Sequence, residues 1–398
     1  MPSIRWVIFG AVYAENLGDG VIAECLRHGL TSADPNCSVH FVDISARQHF
    51  GDSKIANKSR LLKILQTLPP FVRKFVSAVG VILFLLKNAY PRWRKIFRSE
   101  DVLIIGGGHL FSDYNLNFPL KIALIDRIAR TASIRSTIYA VGVSKDWSTV
   151  ALKLFKAVAA RAAETGIAVR DEESADFFKG HIPDLASTVK IARDPGLLAR
   201  EVYEQCPCHG KGVGINLSDP TELSQYSERS MAANDFTTMW KGVIQTLLAQ
   251  GRNVTIFTNG AKEDQVYLEQ VVLELGDFAH HNNLQILERP ITPDQLVSQI
   301  KGLEIIVGHR LHAHIVAFSH NIPGIGLEWD TKLRSFFRVA GIEEQMIAQT
   351  EINSSEILRK IGNIRNFPPK LSNKSAELHN EAKIDIKNMV LRVQDWAV

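Results

Sequence analysis

The chain has 398 residues, 45% apolar and 22% charged; this composition excludes extended disorder, and the length exceeds what one hydrophobic core supports, so two domains are expected. Four cysteines, Cys25, Cys37, Cys206 and Cys208, are too few for a disulfide framework and fit a reducing compartment. The net charge of +4 is unevenly spread: Lys54 to Arg98 carries eleven basic side chains and no acidic one, which leaves the rest of the chain net negative.

The first ten residues lack the basic stretch, apolar core and small-residue cleavage site of a secretory leader, so a cytoplasmic location is expected. Trp6 to Phe9 reads as a strand. Asn16-Leu17-Gly18-Asp19-Gly20 follows as a glycine-bearing turn before a helix from about Val21 to Leu30. Asp19 is expected to cap that helix, and Gly18 and Gly20 to let a ligand reach the backbone. Val39 to Asp43 is a second strand. The basic block then forms one or two helices, broken by Pro69-Pro70 and Pro91. Its apolar part, Phe71 to Leu86, is shorter than the roughly 20 residues a bilayer span needs. Two readings of residues 54–98 stand side by side: a segment lying on an anionic membrane surface, or a core helix with a solvated basic rim. The block shows no nucleic-acid module, so nucleic acid is not an expected partner.

Asp101 to Ile105 reads as a buried strand running into Gly106-Gly107-Gly108, either a loop open to a ligand or a tight turn. Phe118 to Ala132 and Leu152 to Ala163 read as helices and Ser136 to Val141 as a strand. Ile167 to Val169 is a short strand that delivers Arg170, next to Asp171, to its end; on spacing alone the two are a local ion pair. Lys190 to Ala192 is another strand. Ala199 to Gly212, with Pro207 and Gly210, reads as a linker; its Cys206-Pro207-Cys208-His209 lacks the second ligand pair of a zinc site. Val213 to Leu217 restarts the pattern. A helix runs from Asp235 to Gln250, stopped by Gly251, followed by a strand at Val254 to Phe257 and a helix at Lys262 to Leu275. A strand at Leu284 to Leu287, a helix at Pro293 to Lys301 and a strand at Gly324 to Glu328 complete the array. Two successive βα arrays predict an α/β fold of two Rossmann-like domains facing a cleft, similar to the GT-B architecture. The boundaries read as 1–198 with the insertion 54–98, a linker at 199–212, a second domain at 213–371, and a final helix at 372–398 packing back across both.

The stretch with most chemistry is Gly308-His309-Arg310-Leu311-His312-Ala313-His314, between an apolar strand, Leu303 to Val307, and a helical run, His314 to Phe318. Strand-to-helix turns in such sheets gather anions, because helix N-termini aim unsatisfied N–H groups there. Arg310 suits a bidentate grip on a phosphate or carboxylate, and His312 suits proton transfer near neutral pH. In isolation the same residues read as a surface ion pair and a hydrogen-bonded histidine. His309, His312 and His314 have no carboxylate or cysteine at ligand spacing, so no metal is expected.

Taken in order, Asn16-Leu17-Gly18-Asp19, Gly106-Gly107-Gly108, the turn at Gly142-Val143-Ser144, Val169-Arg170-Asp171 with Ser174, Gly308-His309-Arg310-Leu311-His312-Ala313, Asn321-Ile322-Pro323-Gly324-Ile325, Trp329-Asp330 and Lys332 resemble the polysaccharide pyruvyl transferase family, from about residue 7 to about 342. The resemblance implies transfer of pyruvyl from phosphoenolpyruvate to two hydroxyls of one sugar of a bacterial-type exopolysaccharide or cell-surface glycan, or of its polyprenyl-diphosphate-linked precursor. The product is a cyclic ketal plus phosphate, and no cofactor is implied. It implies donor binding by Arg170, Arg310, Leu311, Lys332 and Gly308, with His312 and Arg310 catalytic. Asn16, Gly18, Asp19, Gly106, Gly107, Gly108, Trp329 and Asp330 then line the acceptor side. Tryptophan stands at 329 where tyrosine is commoner, and the basic block is longer than the family core; both bear on the acceptor. A nucleotide-sugar glycosyltransferase and a non-catalytic membrane-associated subunit are the competing readings.

Overall fold

The computed structural model describes residues 4–52, 69–221, 233–364 and 368–395. Contacts divide the chain into two compact units: residues 1–14, 22–195 and 382–398, and residues 15–21 and 196–381. The division therefore runs through two helices.

In the first unit six parallel strands, β1 (Arg5–Gly10), β2 (Ser38–Asp43), β3 (Asp101–Gly106), β4 (Arg135–Val141), β5 (Ile167–Val169) and β6 (Val189–Ile191), form a sheet in the order β2-β1-β3-β4-β5-β6. Gly10 ends β1 against β3, where a Cβ would lie 2.8 Å from the Gly106 carbonyl oxygen. The central strands are buried throughout, which explains why they read as unbroken apolar runs rather than alternating ones. Helices α1 (Gly18–Ala33), α2 (Pro70–Phe84), α3 (Asn117–Thr131), α4 (Thr149–Ala162) and α5 (Glu172–His181) accompany these strands. One core joins Phe9, Trp93, Leu103, Ile105, Phe111, Ile138, Phe155 and Phe178.

Helix α1 starts at Gly18, three residues before the expected start, so Asp19 lies in its first turn instead of capping it. There its charge still complements the positive end of the helix. Pro91 does not break the basic block. A π-helical turn, Leu85–Ala89, precedes it and a further helical turn, Tyr90–Trp93, contains it. The wider turn is a fitting solution, because proline has no N–H to give to the preceding turn. Residues 54–68 of that block lie outside the described residues.

The second unit carries β7 (Val213–Asn216), β8 (Val254–Phe257), β9 (Leu284–Ile286), β10 (Ile305–Gly308), β11 (Gly324–Leu327) and β12 (Met346–Ile347), in the order β12-β11-β10-β7-β8-β9 and all parallel. Counted from β7, this is the doubly wound order 3-2-1-4-5-6, whose direction reverses between β7 and β10. Its helices are α6 (Ala233–Ala249), α7 (Lys262–Leu275), α8 (Pro293–Lys301), α9 (Leu311–Ser319), α10 (Thr331–Val339), α11 (Ser354–Asn363) and the first half of α12 (Pro368–Asp395). Gly251 ends α6 with φ +72°, its N–H bonded to Leu248 O and that of Arg252 to Leu247 O. That pair of bonds is the left-handed helix stop the glycine predicts.

Residues 199–212, expected as a linker, group with the second unit. Lys301 Nζ donates to the carbonyls of Tyr203 and Cys206 at 3.3 and 3.0 Å. His209 N–H donates to Ser298 O at 2.8 Å, and Lys211 N–H to Thr255 Oγ1 at 3.0 Å. Residues 15–21 also group with the second unit, where the sequence reading put them in the first.

Candidate active site

In the second unit the functional turn sits at the reversal point of the sheet. Gly308, the last residue of β10, pairs with Asn216, the last of β7. A Cβ on Gly308 would come 2.8 Å from the Asn216 side chain and carbonyl, so the close approach of the two strand ends requires glycine. The chain then turns through His309 and Arg310 into α9. No side chain caps α9 at its N-cap, Arg310, so the orphan amides of its first turn remain for a ligand.

Arg310 is buried, and Asp264, in the first turn of α7, holds its guanidinium. Nε donates to Oδ2 at 3.1 Å and Nη2 to both carboxylate oxygens at 2.7 Å. Asp264 Oδ1 also accepts from the Asp219 N–H at 2.8 Å. One edge of the arginine is thus turned to protein, which fixes its plane. Leu311 is buried behind it.

The three histidines have separate environments. His309 lies edge-on to Phe236 and Trp240, and neither ring nitrogen has a hydrogen-bond partner. Burial first, then the Arg310 charge, pushes its pKa down to about 3. His314 Nε2 meets the Gly308 carbonyl at 2.9 Å, and burial lowers its pKa to about 4. Both are neutral at pH 7 and hold strand to helix. His312 is the half-exposed member, with its ring against the Cα of Gly18. A Cβ at Gly18 would lie 2.5 Å from His312 Cβ and Nδ1, so only glycine tolerates this contact. Among the described residues no group of three or more His, Cys, Asp or Glu is placed to hold a metal.

The 15–18 loop is fastened to the end of β8. Leu17 N–H donates to Asn259 O at 2.9 Å, and Asn259 Nδ2 to Asn16 Oδ1 at 3.5 Å. Asn216 Nδ2 donates to Asn259 Oδ1 at 3.0 Å. Gly260, at φ +97°, leaves room for the Glu15 carbonyl, which a Cβ would approach to 2.7 Å. Beyond β11, Trp329 Nε1 donates to His309 O at 2.7 Å. Asp330 caps α10 through the Leu333 N–H at 3.1 Å and pairs with Lys332 at 3.3 Å, while Lys332 Nζ lies 5.9 Å from the centre of the Trp329 ring. Asn16, Gly18, Gly308, His309, Arg310, His312, Trp329, Asp330 and Lys332 therefore belong to one unit.

The other candidates form a cluster in the first unit. Gly107 and Gly108 take φ +73° and +70°, and a Cβ on Gly107 would lie 2.7 Å from Ile22 Cγ2. Gly142 N–H donates to Gly108 O at 2.9 Å. A Cβ on Gly142 would meet His109 Nδ1 at 2.4 Å and the Arg170 guanidinium at 3.0 Å. Arg170 is buried and pairs with Asp171 at 3.0 Å. Asp171 in turn caps α5 through the Ser174 N–H at 2.7 Å, and Ser174 Oγ accepts from Val143 N–H at 3.2 Å. The Val169-Arg170-Asp171 and Ser174 motif is thus one hydrogen-bonded corner.

Asp264, Asn216, Asn259 and His109 escaped the sequence reading. Asn259-Gly260 carries a turn signal. Asp264 reads like any acidic residue in a first helical turn.

The family model described as polysaccharide pyruvyl transferase matches residues 16–331. Among solved structures, UDP-GlcNAc 2-epimerase from Methanocaldococcus jannaschii superposes with TM-score 0.55 at 11% identity, covering 99% of each chain. The S. aureus MnaA–UDP co-structure gives 0.54 at 10% identity, over 99% of this chain and 97% of that one. Anabaena Alr3699/HepE in complex with UDP gives 0.50 at 11%, over 99% of each. These neighbours have the GT-B type of fold, and at such identity the likeness is one of fold. No curated protein matches the chain in sequence.

Proposed function

Because the chain belongs to the polysaccharide pyruvyl transferase family, an enzyme family, we propose that it moves pyruvyl from phosphoenolpyruvate onto two hydroxyls of one sugar residue of a cell-surface glycan or exopolysaccharide precursor. The observation that carries this reading is the Gly308–His312 turn, where an uncapped helix N-terminus, an oriented arginine and a half-exposed histidine meet at the sheet's reversal point.

The donor brings a phosphate and a carboxylate. Paired with Asp264, Arg310 carries little net charge, so its role is geometric: a fixed guanidinium beside the α9 amides orients an anionic group. Lys332 adds positive charge for the departing phosphate, and Arg170 serves as the anion-binding group of the first unit. In the reaction the enol CH₂ of the donor gains a proton to become the ketal methyl. One sugar hydroxyl loses its proton and bonds to C2; the second hydroxyl does the same as the C–O bond to phosphate breaks, and phosphate leaves with the remaining proton. His312 is the proton carrier, a role typically worth 10²–10⁴-fold. The residues need no metal or organic cofactor for these steps. Gly18, Asn16, Asp19 and Trp329, with Gly106 to Gly108 in the first unit, are assigned to the acceptor. The acceptor is read as a sugar on a polyprenyl diphosphate carrier, reached from the cytoplasmic face of a membrane.

A titration with phosphoenolpyruvate, UDP-sugars and GDP-sugars, followed by thermal melting, tests the donor. Binding to the folded state at a hundredfold excess over Kd stabilises by about 2.7 kcal/mol. Stabilisation by phosphoenolpyruvate, weakened in Arg310→Lys, is expected. A response to nucleotide sugars alone overturns the reading in favour of a glycosyltransferase.

A further inference from the structure

Helix α2 and the turns that continue it carry two apolar stripes. Ala78, Val81, Leu85, Ala89 and Trp93 recur at helical spacing and pack into the core of the first unit. On the other side Phe75, Val79, Ile82, Leu83, Leu86 and Tyr90 recur at i, i+4, i+7, i+8, i+11 and i+15, so they form a single outward face. All six are exposed; Phe75 is 71% and Leu86 62% accessible. The π-helical turn Leu85–Ala89 keeps the register, with Leu85 and Ala89 inside and Tyr90 outside. A helix on a folded surface normally turns charge outward, and a contiguous apolar face of this kind marks an interaction site.

The charges around it identify the occupant. From Pro70 to Arg98 there is no acidic side chain. Lys87, Arg94, Lys95 and Arg98 are exposed at the C-terminal end of the stripe, and the Arg94 guanidinium lies 5.9 Å from the centre of the Tyr90 ring. A second copy of the chain would bring this basic rim against itself. A bilayer with anionic headgroups offers hydrocarbon to the stripe and negative charge to the rim at once. No helix of the described residues is long and apolar enough to cross a membrane, so the contact is one of lying on the surface.

We propose that the outward face of Phe75 to Tyr90 docks the protein on an anionic lipid bilayer, with the apolar side chains at the acyl boundary and Lys87, Arg94, Lys95 and Arg98 among the headgroups. The inference gives a physical basis to the lipid-linked acceptor and rests on the pyruvyl reading only for that link. Vesicle binding is measured without turnover, so the two stand or fall separately.

The test is flotation of the purified full-length chain with phosphatidylcholine vesicles containing or lacking about a third phosphatidylglycerol. Binding to the anionic vesicles alone is expected, and it should fall in high salt because exposed charges are screened. Lys87→Gln, Arg94→Gln and Lys95→Gln together should weaken it on the order of a hundredfold, from roughly fivefold per basic residue. Phe75→Ser, Leu83→Ser and Leu86→Ser together should abolish it with an unchanged melting curve, because these side chains leave no core contact behind. The proposal is overturned if the wild type stays unbound on anionic vesicles or if either triple variant floats like wild type. It is equally overturned if the wild type is an oligomer without lipid that the serine variant converts to monomer, which would assign the face to a second copy.

Discussion

Each unit buries one arginine just beyond the end of a strand, and the two are held in different ways. Arg170 pairs with the next residue in the chain, Asp171, which already serves as the cap of α5. Arg310 pairs with Asp264, 46 residues away in the first turn of another helix, through three contacts at 2.7 to 3.1 Å. The first arrangement is local and its carboxylate keeps a second role when the arginine is removed. The second forms only when α7 and α9 are both in place, and its carboxylate is fully buried. An arginine's cost of removal is therefore set by what its partner is left with.

Removing each arginine tests that contrast. Arg310→Ala leaves Asp264 buried beside a cavity and should cost about 3–5 kcal/mol of stability, together with pyruvyl transfer itself. Arg170→Ala should cost distinctly less in urea unfolding, because Asp171 retains the Ser174 amide. Equal losses would show that the distance of the partner is irrelevant. His312→Gln separates chemistry from folding in the second unit. Its ring is half-exposed, so stability should stay within about 0.5 kcal/mol while turnover, measured as phosphate release from phosphoenolpyruvate, falls 10²–10⁴-fold.

Acid should act on the second unit through His309 and His314. Their folded pKa values, about 3 and about 4, lie below the ordinary 6.5, so between these limits the unfolded chain binds the extra protons. Stability is whole above about pH 6.5 and falls as the pH drops toward 4, at about 1.4 kcal/mol per pH unit for each histidine. Melting temperatures across that range measure the slope, and a flat profile would show that the two rings are charged in the fold. Gly18→Ala is the smallest expected perturbation: its Cβ would press on the His312 ring. About 1–2 kcal/mol of stability and roughly tenfold in turnover should go, the latter because a displaced proton carrier loses alignment. Normal turnover would remove His312 from the chemistry.

The strands and most helices were legible because parallel strands covered on both faces read as apolar runs, and α7 and α8 are bounded by clear signals such as Pro293 and Gly302. Two elements were not. β12 has only Met346 and Ile347, too short to leave a pattern. Helix α10 buries just Leu333 and Phe337 among polar neighbours, so its run looks like a loop. The turn at Gly308 to His312 was legible because its residues are adjacent in sequence. Asp264 was not, since nothing local distinguishes a carboxylate that will meet an arginine from one that complements a helix end. The loop at 15–18 was read as chemistry for the right residues but given to the wrong unit, because membership depends on Asn259 and Gly260, more than two hundred residues later.

That loop also governs how the protein can be divided. Seven residues near the chain's beginning complete the unit that otherwise spans 196–381, and the end of α12 belongs with the opposite one. Neither unit is a continuous stretch of polypeptide. A fragment expressed from residue 196 onward would lack the backbone that sits on Asn259 and the glycine that seats His312. Autonomous folding of either half is thereby replaced by interdependence: during synthesis the second unit reaches its finished form only after the chain has returned to its own beginning.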